Sequence, residues 1–328
     1  MVPAAPRVSV IIPNWNGLHL LPECLDALLA QQFREFEAVV VDNGSADGSA
    51  EWLAERYPMV RVIRRPDNGG FSRAVNDGIR ATRGEYVALL NNDAVPEPGW
   101  LGALVAALDA RPGYAFAASK LILYDRPTRL NAVGDVYLIT RLVGKARGYN
   151  EPVDRYSRPE RVLGACAAAV LYRRSLFARV GLFDEDFFLM SEDTDLNLRC
   201  LIAGLRCLYV PDARVRHKGQ ASSVTKPREA ILRLARRNEA MVAAKDLPVA
   251  ALLLGSSIQA WGAFRDTFPV RPSKWHLVPS LVRRTSKSRR GQLEGFRRGL
   301  AKRPDVWRRR AVGMPEIVRW LVKGWGPA

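Results

Sequence analysis

The sequence is poor in the residues that build disulfide frameworks and structural zinc sites. It has four cysteines in 328 residues, and no two of them form a CxxC pair. Such sparse and irregular spacing excludes a disulfide-stapled fold and a structural zinc site. We therefore expect Cys24, Cys166, Cys200 and Cys207 to be reduced thiols of a cytoplasmic protein.

The chain also lacks the common nucleotide-binding and targeting patterns. No GxGxxG follows the first apolar segment and no GxxxxGK(S/T) occurs anywhere, which argues against a nicotinamide-dependent dehydrogenase and a P-loop NTPase. No charged segment followed by a long apolar stretch opens the chain, so the sequence predicts no signal peptide. An apolar stretch over residues 247–264 is short and interrupted by Ser256, Ser257 and Gln259, which argues against a membrane-spanning helix and leaves insertion into a bilayer open.

Acidic residues are scarce in the last third of the chain. Residues 1–225 hold 27 Lys and Arg against 26 Asp and Glu, whereas residues 226–328 hold 23 against 7. The net charge of +17 therefore belongs to the C-terminal part. This division predicts a charge-balanced body, residues 1–225, and a basic appendage, residues 226–328, that associates with an anionic surface.

Short β-rich runs alternate with helical patterns over the first hundred residues, which is typical of a doubly wound α/β unit with parallel strands. Strands are predicted at 8–12, 38–42, 60–63 and 86–90, and helices at 18–32, 45–56 and 72–82. In such sheets ligands bind beyond the carboxyl ends of the strands. The ligand-binding half of the body is therefore expected at about residues 7–110.

After residue 110 the regular alternation stops, and residues 111–225 are predicted to form a mixed, partly antiparallel half. Strands are expected at 120–124, 166–172 and 207–210. A helix is predicted to begin near Ser191 and to end at Gly204, because acidic residues favour a first turn and glycine favours a helix end. His217, one of three histidines, is expected in a loop beyond the last strand, as a surface histidine or a metal ligand.

Carboxylates stand where the predicted elements present them to ligands. Asp42 follows the second strand, Asp93 follows the fourth, and Glu192 and Asp193 open the predicted helix. Each has a structural alternative: a turn or helix cap for Asp42, an Asx-turn before Pro96 for Asp93, and a favourable interaction with the helix dipole for the acidic pair. The functional alternative is Mg²⁺ or Mn²⁺ on a diphosphate at Asp93, with a general base in the acidic pair.

Several of these segments occur together in one order along the chain. They are 8–16 (VSVIIPNWN), 40–49 (VVDNGSADGS), 68–71 (NGGF) with Asn76 and Gly78, 89–93 (LLNND), 164–165 and 183–196 (FDEDFFLMSEDTDL). In this order they resemble the inverting family 2 glycosyltransferases of the GT-A fold, specifically their rhamnosyltransferase-like branch. The resemblance covers about residues 7–245. It implies an α/β, GT-A catalytic domain in residues 1–225, with a Rossmann-like, mostly parallel sheet and a mixed acceptor half at 111–225, followed by a basic helical tail.

The resemblance also implies roles for individual residues. Asp193 would be the general base, with Glu192 beside it as an orienting or acceptor-binding group. Asp93 and His217 would hold Mg²⁺ or Mn²⁺ on the donor diphosphate, although Asn91 replaces the first acid of the family's Asp-x-Asp motif and leaves one charge fewer on the cation.

Two further sets of residues carry over as binding positions. The expected donor-binding residues are Pro13, Asn16, Asp42, Asn43, Asn68, Gly69, Asn76, Asn92 and Asp93. The expected acceptor-binding residues are Gly164, Ala165 and Cys166.

The reaction implied by the resemblance is transfer of a sugar, expected to be rhamnose, from a dTDP-, UDP- or GDP-linked donor. The acceptor would be a lipid-linked sugar or a polysaccharide in cell-envelope glycan synthesis. Two alternatives stay open: a galactofuranosyl or other hexosyl transferase of the same fold, and an inactive membrane-bound scaffold of glycan assembly.

The basic appendage is rich in tryptophan. Five of the eight tryptophans fall in the last 68 residues: Trp261, Trp275, Trp307, Trp320 and Trp325. Tryptophan and cations together are typical of helices at a membrane surface. Two apolar faces are predicted to lie on an anionic membrane: Leu293, Phe296 and Leu300, and Ile317, Trp320 and Leu321.

The prediction for the appendage has two alternatives. One is a tail that is solvated or packed on the body, and the other is a nucleic-acid-binding segment, which the lack of an aromatic-lined recognition motif disfavours. The sequence thus predicts a cytoplasmic protein, peripheral at the inner face of the cell membrane, with no nucleic-acid partner.

Overall fold

The structure, a computed structural model, describes residues 6–219, 228–267 and 278–328, with side chains at 6–219, 229–258 and 290–328 except Pro327. The strands are β1 (Val8–Asn14), β2 (Phe36–Asp42), β3 (Arg61–Arg64), β4 (Tyr86–Leu90), β5 (Ala94–Pro96), β6 (Phe116–Leu123), β7 (Leu130–Ala132), β8 (Asp135–Leu138), β9 (Val143–Ala146), β10 (Glu160–Val162), β11 (Ala169–Arg173), β12 (Cys207–His217) and β13 (Trp325–Pro327). The helices are α1 (Leu21–Leu29), α2 (Ser49–Arg56), α3 (Phe71–Ala81), α4 (Trp100–Asp109), α5 (Ser175–Val180), α6 (Glu192–Ile202), α7 (Arg228–Asp246), α8 (Val249–Thr267), α9 (Val278–Arg308) and α10 (Met314–Lys323), with a 3-10 turn at Val153–Arg155.

One large sheet runs through the body, in the order β13-β10-β12-β6-β11-β4-β1-β2-β3. Strands β1 to β4 are parallel, as the alternating sequence pattern predicted. Strand β11 runs antiparallel between β4 and β6, and β12 returns parallel to β6. The predicted α/β class, with a parallel first half and a mixed second half, is therefore confirmed.

Helices cover both faces of this sheet, which explains why its central strands are apolar on both sides. On one face, Val10 and Ile12 of β1 pack with Leu25 of α1 and Leu104 of α4. On the other face, Ile11 belongs to the cluster that includes residues of α3, α5 and α6. Because the two layers close the faces, the carboxyl ends of the strands are left for ligands.

The structure corrects the prediction for His217. Strand β12 does not end at Val210 but continues to His217, which is its last residue. The pairing with β6 shifts register between Val210 and Arg214, and Pro211 interrupts the apolar pattern there, so the sequence shows only the first half of the strand. Strands β6 and β11 also begin elsewhere than predicted, at Phe116 and Ala169.

The C-terminal helices pack on the body, and one predicted membrane face is wrong. Ile317, Trp320 and Leu321 of α10 are buried in a cluster with Leu198 of α6 and Met241 of α7. The reason is that an amphipathic helix presents the same pattern to a protein surface as to a membrane surface. Strand β13 even joins the main sheet, by antiparallel pairing with β10.

The described tryptophans of the tail also contact the protein. Trp307 Nε1 donates to the Lys245 carbonyl oxygen at 3.0 Å, and the guanidinium of Arg161 lies 4.0 Å from the ring centroid of Trp320. Trp275, the side chain of Trp261 and the predicted boundary at 225/226 lie outside the described residues. Within the ranges that the structure describes, no helix has both the length and the apolar character needed to cross a bilayer.

Candidate active site

Asn14 joins the carboxyl ends of three neighbouring strands. Its Nδ2 donates to Asp42 Oδ1 at 3.2 Å, and its Oδ1 accepts from Asn92 Nδ2 at 2.8 Å. All three side chains are buried. The sequence analysis did not single out Asn14 although it lies in the 8–16 motif; its position directly after an apolar strand is the signal that was available.

The loops above β1 and β2 are fastened by amide side chains. Asn16, which has a left-handed φ of 49°, accepts from Ala46 N at 2.8 Å. Asn43 donates to Asn68 Oδ1 at 3.0 Å and accepts from Gly69 N at 3.1 Å. Four of the predicted donor residues therefore belong to three connected loops, which follow β1, β2 and β3. Pro13, which is half-buried, lies one residue before the end of β1.

Asn76 connects α3 to the segment that precedes α6. Its Nδ2 donates to the Phe183 carbonyl oxygen at 2.8 Å and to Glu185 Oε1 at 3.0 Å, and its Oδ1 accepts from Phe183 N at 3.0 Å. Both amide hydrogens are thus used inside the protein. In this structure Asn76 holds the 183–185 segment against the donor side of the sheet.

Asp93, which follows β4, faces His217, the last residue of β12. His217 Nδ1 lies 3.0 Å from Asn131 Oδ1. Because this oxygen only accepts, the tautomer that satisfies it carries its hydrogen on Nδ1 and has the lone pair of Nε2 on the side of Asp93. Nε2 is buried without a hydrogen bond among the described residues, yet it lies 3.2 Å from Asp93 Oδ1. A carboxylate oxygen and an imidazole lone pair that converge in this way fit a divalent cation.

Two described side chains, Asp93 and His217, are available as protein ligands of such a site. Among residues with described side chains, no group of three or more His, Cys, Asp and Glu is placed to hold a metal. Asn91, at the position where the family has an acid, carries a buried Oδ1 without a hydrogen bond in the described structure. Phosphate and water oxygens would have to complete the coordination.

Glu192 and Asp193 form the first turn of α6, as predicted. Asp193 Oδ1 accepts from Thr194 N at 2.7 Å, and its Oδ2 accepts from Ala167 N at 3.4 Å. The second bond brings Asp193 to the segment that follows the predicted acceptor residues. Glu192 is buried, and its Oε2 has no hydrogen bond within the described residues.

Both carboxylates bind protons more tightly than an exposed acid. Burial raises the pKa of Asp193. Burial, followed by the charge of Asp193, raises the pKa of Glu192 to about 8. At neutral pH Glu192 is therefore mostly protonated, so Asp193 is the member of the pair that can accept a proton.

The acceptor segment is held by two residues that the sequence analysis missed, Asp135 and Asn197. Asn197 Nδ2 donates to Asp135 Oδ2 at 2.9 Å and to the Ala165 carbonyl oxygen at 3.0 Å, and its Oδ1 accepts from Ala165 N at 3.2 Å. Gly164 lies so close to Asn197 that any Cβ would overlap its side chain. Burial, followed by the charge of Asp193, raises the pKa of Asp135; nothing in the local sequence around Asp135 signals this proximity.

These contacts gather the predicted residues at one edge of the sheet. Asp42, Asn43 and Asn92 lie on the side of β1 to β4, Asp93 meets His217, and Asp193 faces the 164–167 segment. The arrangement brings together a half-buried carboxylate, a buried carboxylate–imidazole pair and amide side chains at the strand ends. That is the set of groups needed to displace an anionic leaving group with a hydroxyl.

The sequence is similar to known proteins of one family. Residues 9–181 match the family described as Glycosyl transferase family 2. The chain is 32% identical over 214 residues to the N-acetylglucosaminyl-diphospho-decaprenol L-rhamnosyltransferase of Mycobacterium tuberculosis, covering 56% of this chain and 67% of that protein. It is 31% identical over 232 residues to the O-antigen biosynthesis protein RfbC of Myxococcus xanthus, covering 67% of this chain but only 18% of that protein.

A solved structure supports the fold. The mannosyltransferase PcManGT from Pyrobaculum calidifontis, in complex with GDP-Man and Mn²⁺, is similar with a TM-score of 0.54 at 17% identity, covering 98% of this chain and 88% of that one. The chain therefore belongs to the family 2 glycosyltransferases and is a GT-A glycosyltransferase similar to their rhamnosyltransferase-like branch.

Proposed function

We propose that this glycosyltransferase inverts the anomeric centre of its donor, with Asp193 as the general base. The observation that carries the proposal is the environment of Asp193, a partly exposed carboxylate whose pKa burial raises and which contacts Ala167 N beside the acceptor segment. A base of this kind accepts a hydroxyl proton at neutral pH more readily than an ordinary aspartate does. Glu192, mostly protonated, orients the acceptor by donating a hydrogen bond.

The proposed step needs no covalent intermediate. The acceptor hydroxyl oxygen forms a bond to the anomeric carbon while the bond from that carbon to the diphosphate breaks. The hydroxyl proton passes to Asp193, and the diphosphate leaves with the electron pair. Mg²⁺ or Mn²⁺ held by Asp93 and His217 would supply positive charge to the leaving diphosphate.

We propose rhamnose as the sugar and a lipid-linked or polysaccharide acceptor of cell-envelope glycan synthesis as the substrate. The proposal rests on the motifs in residues 7–196 and on the similarity to a mycobacterial protein named as a rhamnosyltransferase of a diphospho-decaprenol acceptor. The donor nucleotide is expected to be dTDP, UDP or GDP, with Asp42 and Asn43 at its nucleoside and Asn92 and Asp93 at its diphosphate.

Donor binding tests the site directly. Isothermal titration with dTDP-rhamnose, UDP-sugars and GDP-sugars is expected to show binding of one donor that Mn²⁺ or Mg²⁺ strengthens. In Asp93→Ala that metal-dependent gain should disappear, because one of the two protein ligands is gone. Asp212→Ala, an exposed acid on the same strand as His217, is the control and should bind as wild type does; metal-dependent binding that survives Asp93→Ala would contradict the assignment.

We also propose that the protein is cytoplasmic and associates peripherally with the inner face of the cell membrane. The described part of α8 exposes Val249, Leu253, Leu254 and Ile258, the first three by more than half of their surface. Leu293 and Leu300 of the basic helix α9 are exposed, and Phe296 of the same predicted face is half-buried. Apolar side chains next to arginines suit an anionic bilayer surface.

Vesicle flotation tests the membrane proposal. The protein is expected to float with vesicles that contain an anionic lipid and to float poorly with neutral vesicles. Leu253→Glu should reduce flotation, because it places a negative charge on the exposed apolar face. Met59→Glu makes the same change at an exposed position of the body and should have no effect; equal flotation with both vesicle types, or with neither, would contradict an electrostatic association.

A further inference from the structure

The segment that leads into Asp193, residues 183–191, lies between the donor side of the sheet and the C-terminal helices. On the donor side, Phe71 N donates to the Phe188 carbonyl oxygen at 2.7 Å. Gly70, with a left-handed φ of 86°, lies so close to that same oxygen that any Cβ would overlap it. The segment is therefore fastened on its inner side by residues of the donor loop.

Its outer side is fastened by α7. Asn238 is completely buried, and its Nδ2 donates to the Leu189 carbonyl oxygen at 2.9 Å and to the Met190 carbonyl oxygen at 2.7 Å. The preceding residue, Arg237, donates from Nη2 to the Asp186 carbonyl oxygen. Asn238 Nδ2 thus donates twice to the backbone that directly precedes Glu192 and Asp193.

This backbone has an unusual conformation. Met190 and Ser191 have φ values of 75° and 69°, so two consecutive residues with side chains occupy the left-handed region. Residues with side chains rarely adopt this conformation, and it persists only where the surroundings fix it. Glu192 and Asp193 follow immediately, so the direction in which their carboxylates point depends on this turn.

We infer that Asn238, on the C-terminal helix α7, is a positioning residue for Asp193. Its two hydrogen bonds hold the Leu189 and Met190 carbonyl groups, fix the left-handed turn and thereby aim the Asp193 carboxylate at the 164–167 segment. The inference rests on the proposed role of Asp193 as base. It assigns part of the catalytic geometry to the basic appendage, outside the span of the family match at 9–181.

Three variants test this inference. Asn238→Leu keeps the size of the side chain and removes both donors, and Asn238→Gln keeps the amide donors. Met241→Ala disturbs the apolar cluster that the same helix shares with Phe187 but removes no hydrogen bond to the segment. With Asn238→Leu, kcat is expected to fall by about 10- to 100-fold, since a small misplacement of a catalytic group has effects of that size. Donor KM and donor affinity should stay at the wild-type values, and Asn238→Gln should recover part of kcat.

Two readouts separate positioning from loss of stability. The pH dependence of kcat should shift in Asn238→Leu, because the burial of Asp193 and Glu192 changes, but should not shift in Met241→Ala. Amide hydrogen exchange of residues 189–193, measured by mass spectrometry, should rise in Asn238→Leu beyond any rise in Met241→Ala. An unchanged pH profile together with unchanged exchange in this segment would overturn the inference.

The same experiment distinguishes failure of the inference from failure of the proposed function. If wild type transfers no sugar from any donor, the proposed function fails and hydrogen exchange alone decides whether Asn238 fixes the segment. If wild type transfers sugar and Asn238→Leu has the wild-type kcat, the proposed function stands and the positioning role is wrong. Should Asn238→Leu fail to fold, Asn238→Gln with wild-type kcat and raised exchange would likewise count against it.

Discussion

Replacing Asp193 with asparagine is expected to lower kcat by about 10²- to 10⁴-fold while donor affinity stays at the wild-type value. Asparagine keeps the shape and can still accept from Ala167 N, but it cannot take the acceptor proton. Steady-state kinetics and donor titration on the same preparation measure the two effects separately. Turnover at the wild-type level would exclude Asp193 as the base.

The pH dependence of the rate and the variant Glu192→Gln provide two further tests of Asp193 as the base. Because burial raises the pKa of Asp193, the ionised fraction, and with it the wild-type rate, should rise with pH along a limb that lies above the ordinary range of an aspartate. Asp193→Asn should lack this limb. Glu192→Gln is the matched control. Glu192 has a pKa of about 8 and is mostly protonated at pH 7, so glutamine imitates its neutral form and should retain much more activity than Asp193→Asn does.

Replacing Lys245 with methionine is expected to lower the free energy of unfolding. The Lys245 Nζ atom is buried and lies 2.6 Å from both Asp184 Oδ2 and Asp195 Oδ1. Removing the cation leaves two buried carboxylates with fewer partners, and breaking a buried pair in this way costs about 3–5 kcal/mol. Two cations remain in the variant: Lys302 lies 2.5 Å from Asp184 Oδ1, and Arg199 lies 2.8 Å from Asp195 Oδ2. We therefore expect a loss at the lower end of that range, measured by chemical denaturation.

The same charged groups determine how the stability difference between wild type and Lys245→Met changes with pH. Burial raises the pKa of Asp184, but Lys245 and Lys302 outweigh it and hold that pKa below the ordinary range, so wild type keeps this stabilisation until the pH falls below about 4. Without Lys245 the Asp184 carboxylate takes up a proton in the folded state at a higher pH, so the variant's deficit in stability should shrink as the pH is lowered. Lys323→Met, at an exposed lysine, should change stability by less than about 0.5 kcal/mol. A deficit that is absent, or that grows toward acid pH, would contradict this account.

Local patterns predicted the parallel half of the sheet because each of its elements carries its own period. The alternation in β1 places Ile11 on one face and Val10 and Ile12 on the other, and the glycine-bounded segments between strands mark the loops. The family motifs then brought Asp42, Asp93 and Asp193 to one edge. The structure confirms the α/β class, whereas the individual site assignments stay predictions until the variants are measured.

The residues that were not predicted act through contacts between distant segments. Asn197 reaches Asp135 across 62 positions, and Asn238 reaches Met190 across 48, so no window of sequence contains both partners. The sequence of α7 did contain one signal. Asn238, Met241, Val242 and Lys245 recur at helical spacing and so share one face. Polar residues on a buried face have hydrogen-bond partners, which indicates that Asn238 and Lys245 have them. The prediction of a membrane face at Ile317, Trp320 and Leu321 was wrong because an amphipathic pattern does not show whether a membrane or the protein covers it.

The attachment of residues 183–191 to α7 and α9 has a consequence for the order of events during synthesis. Chains emerge from the ribosome N-terminus first, at about 5–20 residues per second, so the donor-side loops are made before Asn238, Lys245 and Lys302. A nascent chain that stops short of α7 contains the predicted donor residues but lacks these later partners of the segment. We therefore expect residues 183–191 to take up their final conformation only after the C-terminal helices have docked.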